Sequence, residues 1–440
     1  MNVPELSDRS GETHGGTASA GPTRGSLAVL FLTVFIDLLG FGLVLPLLPL
    51  YADQYQAAPW MIGLLFSSFS IMQFLFAPVW GRLSDRVGRR PVLMIGLGGS
   101  VLFYSLFGVA ALLASLPLLF VSRIGAGVAG ATIPIAQAYI ADTTTLQGRS
   151  KGMALIGAAF GLGFTFGPLL GLAAVPSGEG DPGPGPGFVA AGLSAVALVL
   201  AWFQLPESYT PGSQPAARWL LDSRALRTAL ARPSLGVLIA ALFICVFSLA
   251  NFETTLSLLL KGSEQTERLA GGFDFSFRQV CLTYAYIGLV LMLAQGVVVR
   301  RVAGRIPDHV LAATGAVIEL SGFLGMIYAI SEHSLGLLFG AMAVVVCGFS
   351  FMMPSINALI SRRSDPAQQG AVLGLGQSAA SLARIVGPLA SMPLLYRGAS
   401  LPYWLAGGLV VVGGALVLLA GRRGGDFPSD AAAGSELLGH

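Results

Sequence analysis

Twelve times between Leu27 and Ala420 the chain runs apolar for the length of a membrane crossing, about 20 residues for about 30 Å of hydrocarbon. Away from water, the backbone amides and carbonyls of such segments must bond within the segment or around a closed barrel. These runs are long and continuously apolar, without the ten-residue alternation of a spanning strand, so helices are predicted. Their spans are placed at 26–50, 60–81, 92–113, 117–141, 151–174, 188–205, 234–260, 279–300, 309–330, 334–360, 370–395 and 402–421. Composition agrees: 54% of the 440 residues are hydrophobic and 11% charged, too few polar groups to clothe a soluble protein of this size. The predicted fold class is an all-α membrane protein.

Charge then orients the spans. Alternating twelve spans from a cytoplasmic N-terminus puts Lys261, Arg268, Arg278 and Arg397 outside and Arg123 and Arg384 within spans; the other nineteen of the 25 Lys and Arg lie inside. That split satisfies the positive-inside rule and predicts a multi-pass protein of the cell membrane with both termini cytoplasmic. Residues 1–25, rich in Gly, Ser and Thr, read as a disordered cytoplasmic tail rather than a signal peptide, and 422–440 as a second tail. Cys245, Cys281 and Cys347 fall inside spans and read as small buried hydrophobes.

The chain divides into two halves. Residues 26–205 carry six spans and 234–421 six more, joined by a polar cytoplasmic linker at 206–233. Within that linker, WLLDSRALRTAL reads either as a short helix on the inner membrane surface or as plain linker. IPIAQAYIA around Pro134 resembles MPSINALIS around Pro354, an offset of 220 residues, and Gly167-Pro168 and Gly387-Pro388 share it. Duplicated six-helix halves are a transporter architecture, with the substrate site between them near the bilayer midplane.

The densest charge is GRLSDRVGRRP at 81–91. A basic inner loop accounts for its arginines but not for Asp85 or for Gly81 and Gly88. This segment matches the pattern G-x-L-x-D-R-x-G-R-R/K of the major facilitator superfamily. FIDLLGFGLVLPLLP in span 1, RIGAGVAGATIPIAQAYIAD in span 4 and GLGFTFGPLLG in span 5 resemble motifs of its drug:proton antiporter branch, in particular the tetracycline-efflux-like transporters. FETTLSLLLKG in span 7 and LAQGVVVRR in span 8 are similar to a eukaryotic tetracycline-transporter-like branch, for which organic-anion substrates have been proposed. The resemblance implies two pseudo-symmetric six-helix bundles and a gating motif of Gly81, Asp85, Arg86, Gly88, Arg89 and Arg90. In it Asp85 faces the inner start of span 11, where a helix N-terminus carries partial positive charge, and the arginines tether carboxylates such as Asp142. It also associates the helix bend at Gly167 and Pro168 with antiport. The second-half copy, RRVAGRIPD at 300–308, keeps Gly304 and Arg305 but has no acid at the Asp85 position, so gating contacts are expected to be asymmetric.

Ionisable groups inside the bilayer are costly and become functional candidates. Asp37 lies about 16 Å from the inner end of span 1 and Arg123 about 21 Å from the inner side in span 4. The resemblance lets these spans meet, so Asp37 is expected to couple protons with Arg123 as its partner, against the alternative of a static ion pair. Glu319 of span 9 must turn toward the bundle, in the direction of Arg384. Gln73, Gln137, Asn251, Glu253, Asn357, Gln377 and Arg384 are the candidate substrate contacts, weighed against plain helix-to-helix bonding.

No G-x-x-x-x-G-K-S/T loop is present for nucleotide hydrolysis, and His14, His309, His333 and His440 are scattered. No enzyme activity, catalytic residue, metal, cofactor or nucleic-acid partner is expected. The expected function is secondary active transport by alternating access, with proton-coupled export of a lipophilic or amphipathic compound. A uniporter or importer of an organic anion or metabolite, and a non-transporting receptor or sensor, are the alternatives. The partners are a small organic substrate, protons and the lipid bilayer, around a monomeric chain.

Overall fold

The computed structural model describes residues 24–144, 146–175, 182–208, 233–263, 265, 273–302, 304–364 and 369–423. The expected linker helix and nearly all of both tails lie outside them.

Twelve crossings are present, all helical. Span 1 is Arg24–Val44 followed by the short helix Leu48–Gln54, span 2 Pro59–Val87 and span 3 Arg89–Leu112. Span 4 is Leu116–Ala129 and Ile133–Thr143, span 5 Leu146–Ala174 and span 6 Gly185–Gln204. Span 7 is Pro233–Lys261, and span 8 runs Phe277–Leu293 through a π-helical stretch Ala294–Val299 to Arg300–Val302. Spans 9 to 12 are Asp308–Ser331, Leu335–Arg363, Gln369–Arg397 and Leu401–Arg423. Eleven are apolar over spanning length among the described residues, and span 5 is apolar over Gly161–Ala174.

Two spans expected as single helices are broken. Pro46 within Leu45-Pro46-Leu47 cannot donate an amide, so span 1 stops at Val44 and restarts at Leu48. Span 4 stops at Ala129 and restarts at Ile133, with Pro134 in its first turn. Span 10, which carries the related Pro354, continues unbroken.

Packing follows the two halves. Span 1 lies on spans 5 and 6, span 3 on 4 and 6, and span 2 on 4; span 7 lies on 10, 11 and 12, and span 9 on 10 and 12. Span 2 meets span 11 and span 5 meets span 8 across the halves. The surface inverts the soluble pattern: Phe203, Val317 and Leu102 are exposed to the apolar surroundings while Arg123 and Glu319 are buried.

The faces differ. Because spans alternate, the Arg24 end of span 1 and the Arg423 end of span 12 share one face, called here the terminal face; the other is the far face. Cross-half hydrogen bonds run from the far face to about mid-membrane: Ser67 Oγ to the Ile385 carbonyl (2.6 Å), Ser257 Oγ to the Pro46 carbonyl (2.6 Å) and Ser263 Oγ to Asp53 Oδ1 (2.7 Å). Toward the terminal face no hydrogen bond or ion pair joins the halves among the described residues. Among the described residues, the cross-half bonds close the molecule at the far face.

Candidate transport site

Asp37 sits mid-way along span 1, half-buried, where its Oδ1 accepts a hydrogen bond from Ser194 Oγ of span 6 at 2.8 Å. Ser100 of span 3 is a second hydroxyl neighbour. Small residues bring span 5 close against the same stretch of span 1. A Cβ built on Gly42 would lie 2.5 Å from the Gly163 carbonyl oxygen, and one on Gly167 would lie 2.7 Å from that of Leu39. The Gly167-Pro168 motif of span 5 therefore packs on the stretch of span 1 just beyond Asp37.

The expected Asp37–Arg123 ion pair is not formed. Arg123 is 2% exposed, its guanidinium carbon 4.7 Å from the centroid of the Phe69 ring and 5.9 Å from that of Phe41. Phe41 is four residues beyond Asp37 on the same helix face, so Arg123 is offset from the carboxylate by about one turn, roughly 5 Å. It uses cation–π contacts instead, and its Nε has no hydrogen-bond partner. Tyr104 of span 3, buried between these helices, is in electrostatic range of both Asp37 and Arg123. Nothing in its spacing distinguishes Tyr104 in the sequence.

In the second half the charges pair differently from the expectation. Glu319 is fully buried and accepts from Ser248 Oγ of span 7 at 2.5 Å, while its Oε2 has no partner. Its helix is pressed on span 10, where a Cβ on Gly348 would come within 2.6 Å of Glu319 Cα. The carboxyl is therefore held by span 7 where spans 9 and 10 pack closely, and its bond is to Ser248 rather than Arg384. Arg384 is instead in electrostatic range of Glu253, with no ion pair between them among the described residues. Arg384 lies about 20 Å from either end of span 11, yet its side chain is exposed, as is that of Gln377 two turns away on the same face.

The uncharged candidates separate by what they already bond. Gln73 Nε2 donates to the Gly130 carbonyl (3.1 Å) at the break in span 4, Asn251 Nδ2 to that of Pro402 (2.7 Å) and Asn357 Nδ2 to that of Met353 (3.1 Å). Gln73 and Asn251 thus join neighbouring spans, with Asn251 Oδ1 left without a partner, while Asn357 bonds back within its own span 10. Gln137 and Gln377 are exposed.

At the terminal face the charged motif forms a closed cluster within the first half. Arg89 Nη1 bonds Asp85 Oδ1 (2.5 Å) and Ser84 Oγ (2.7 Å), and its Nε bonds Asp142 Oδ2 (3.0 Å). Asp85 thus bonds Arg89, and no bond from it to span 11 is present among the described residues. Arg90 Nη2 donates to the Trp202 carbonyl (2.5 Å) rather than to a carboxylate; Arg86 is exposed and joins none of these bonds, and Gly81 has open space around it. Glu207, not singled out by sequence, caps span 3: Oε1 accepts from the Arg89 amide (2.9 Å) and Oε2 from that of Arg90 (3.2 Å). In the second half Asp308 bonds Arg362 at 2.5 Å. Position 362 is position 142 plus the 220-residue offset, so the span-start to span-end bridge recurs with its charges exchanged.

Two six-helix groups joined by hydrogen bonds toward one face, with charged residues buried at mid-membrane, have the build of a secondary transporter that works by alternating access. Residues 30–388 match the family model described as Major Facilitator Superfamily. Major facilitator superfamily domain-containing protein 10 of Bos taurus is 32% identical over 439 residues, covering 88% of this chain and 89% of that one. Tetracycline resistance protein, class C, of Escherichia coli is 30% identical over 414 residues, covering 91% and 98%. The crystal structure of the human organic anion transporter MFSD10 (TETRAN) superposes with a TM-score of 0.67 at 27% identity, covering 90% of this chain and 99% of that one. The D-xylose-proton symporter shares the fold, with a TM-score of 0.70 at 18% identity over 89% and 96% of the chains. The chain belongs to the major facilitator superfamily; it is a multi-pass membrane transporter and not an enzyme.

Proposed function

We propose that the protein exports an amphipathic organic compound in exchange for protons, in the cell membrane with its terminal face cytoplasmic. The observation that carries this reading is Asp37, a carboxyl in the bilayer interior whose bonded neighbour is the neutral hydroxyl of Ser194. A carboxyl so placed can take up and release a proton as its surroundings alternate between dry and wet. Gly167-Pro168, the motif associated with antiport, packs on the same helix one turn away. The relatives named as tetracycline resistance proteins support export.

Arg384 favours a refinement of the substrate. Exposed at mid-membrane near the half-buried Glu253, it is available to an anionic group on the compound. The name of the human relative, an organic anion transporter, supports the same choice.

The test uses purified protein in liposomes with an imposed pH gradient and a panel of amphipathic compounds. The parent is expected to accumulate substrate against its gradient. Asp37→Asn should lose the gradient-driven component at least tenfold while substrate exchange at equal pH persists. Gradient-driven flux unchanged in Asp37→Asn removes this carboxyl from coupling.

A further inference from the structure

The strongest joint between the halves is not in any motif. Asp53, next to last in the short helix Leu48–Gln54, is only 5% exposed. Its Oδ1 accepts hydrogen bonds from Ser263 Oγ (2.7 Å) and from the Tyr396 hydroxyl. Gln265 Nε2 donates to the Asp53 carbonyl (2.7 Å) and to that of Ala57 (3.2 Å). Ser263 and Gln265 follow span 7 and Tyr396 ends span 11, so every one of these donors belongs to the second half and every acceptor to the first.

The same helix is anchored in its own half. Tyr51 donates to the Gly183 carbonyl at 2.5 Å before span 6, and Tyr55, just past the helix, to that of Ala111 at 3.3 Å at the end of span 3. At its other end, the break in span 1 exposes the Pro46 carbonyl, which takes the bond from Ser257 of span 7. A short, separately anchored helix with donors from the opposite half converging on one buried carboxyl has the construction of a clasp. Hydrogen bonds to a carboxylate are stronger than those between neutral groups and cost most when one partner is lost. All of them must break before the far face can open.

We propose that Asp53 is the positioning residue that holds the transporter closed at its far face, with Ser263 and Tyr396 as its donors. The break at Leu45–Leu47 joins this clasp to the segment of span 1 that carries Asp37, so the two sit on one element. The proposal rests on the transport class and not on proton coupling or on the choice of substrate.

The test measures the distance between spin labels at Leu113→Cys and Glu332→Cys, exposed positions at the far face of the first and second halves. The full chain is used in lipid nanodiscs, with Cys245, Cys281 and Cys347 replaced. The parent should give a dominant short-distance population and a minor longer one. Asp53→Ala should move a large fraction to longer distances, a shift of about tenfold or more in the closed-to-open ratio, given two hydrogen bonds to a charged acceptor. Asp53→Asn keeps an acceptor oxygen and should stay nearer the parent. Tyr396→Phe and Ser263→Ala remove one hydroxyl each, should shift the ratio less than Asp53→Ala, and carry the test if that variant does not fold. A merely structural role would lower stability without lengthening the distance. An unchanged distribution in folded Asp53→Ala, or in both hydroxyl variants should it not fold, overturns the proposal.

Discussion

A guanidinium held between two phenylalanines and away from any carboxylate behaves differently from one in an ion pair. Arg123 spreads its charge over the Phe69 face at 4.7 Å, with Phe41 at 5.9 Å, a contact that a planar cation makes better than a compact ammonium. Arg123→Lys and Phe69→Leu should each destabilise the purified protein. Their double variant should lose less than the sum by about 0.5–2 kcal/mol, the coupling expected of one cation–π contact. Thermal melting of the four proteins in one detergent measures this, and strict additivity would mean that the two side chains do not interact. The residue scale is also where the sequence is least legible. Hydropathy locates Asp37 and Arg123 in depth only to about one helical turn, roughly 5 Å, and one turn exchanges Asp37 for Phe41 as the neighbour of Arg123. Glu319 was equally visible as an embedded acid, but the side it faces is decided by how closely Gly348 admits its helix.

Among the elements, the spans themselves could be read because twenty apolar residues have few other ways to satisfy their backbone, and the two halves because Gly-Pro pairs recur at one offset. The breaks could not. Leu45-Pro46-Leu47 is as apolar as its flanks, and Gly130, where span 4 opens, corresponds by the offset to Ser350, which stays helical and bonds back to the Val346 carbonyl at 2.8 Å. Span 3 shows a further dependence on a distant residue. Its first free amides are capped by Glu207, 118 residues away, an anion at a helix N-terminus, where the dipole favours it. Gly88 makes room for that cap: it has φ +104, and a Cβ there would lie 2.5 Å from Glu207 Oε2. Glu207→Gln should cost about 1 kcal/mol, and Gly88→Ala more, because it combines backbone strain with displacement of the cap. Hydrogen exchange at the amides of residues 89 and 90 should accelerate in both variants, and unchanged protection in Glu207→Gln would show that water replaces the carboxylate without loss.

On the scale of the whole molecule, the two faces carry different devices. At the far face, Asp53 receives its bonds from the opposite half, and those bonds exist in the conformation described. At the terminal face, Asp85 is turned within its own half onto Arg89, which Asp142 also holds. If Asp85 binds the start of span 11 when the terminal face closes, as the family resemblance implies, the two carboxylates stabilise opposite states. Asp85→Asn should then enlarge the far-face-closed population, and Asp53→Ala the far-face-open one. The sites are at opposite ends of a bilayer about 30 Å thick and share no partner among the described residues, so their free energies should add with opposite signs. The labelled pair at Leu113→Cys and Glu332→Cys reads both. The double variant Asp53→Ala/Asp85→Asn should return the distance distribution toward that of the parent. A double variant as open as Asp53→Ala alone would mean that Asp85 contributes nothing to closing the terminal face, leaving the charges of GRLSDRVGRRP to fix only the orientation of the chain in the membrane.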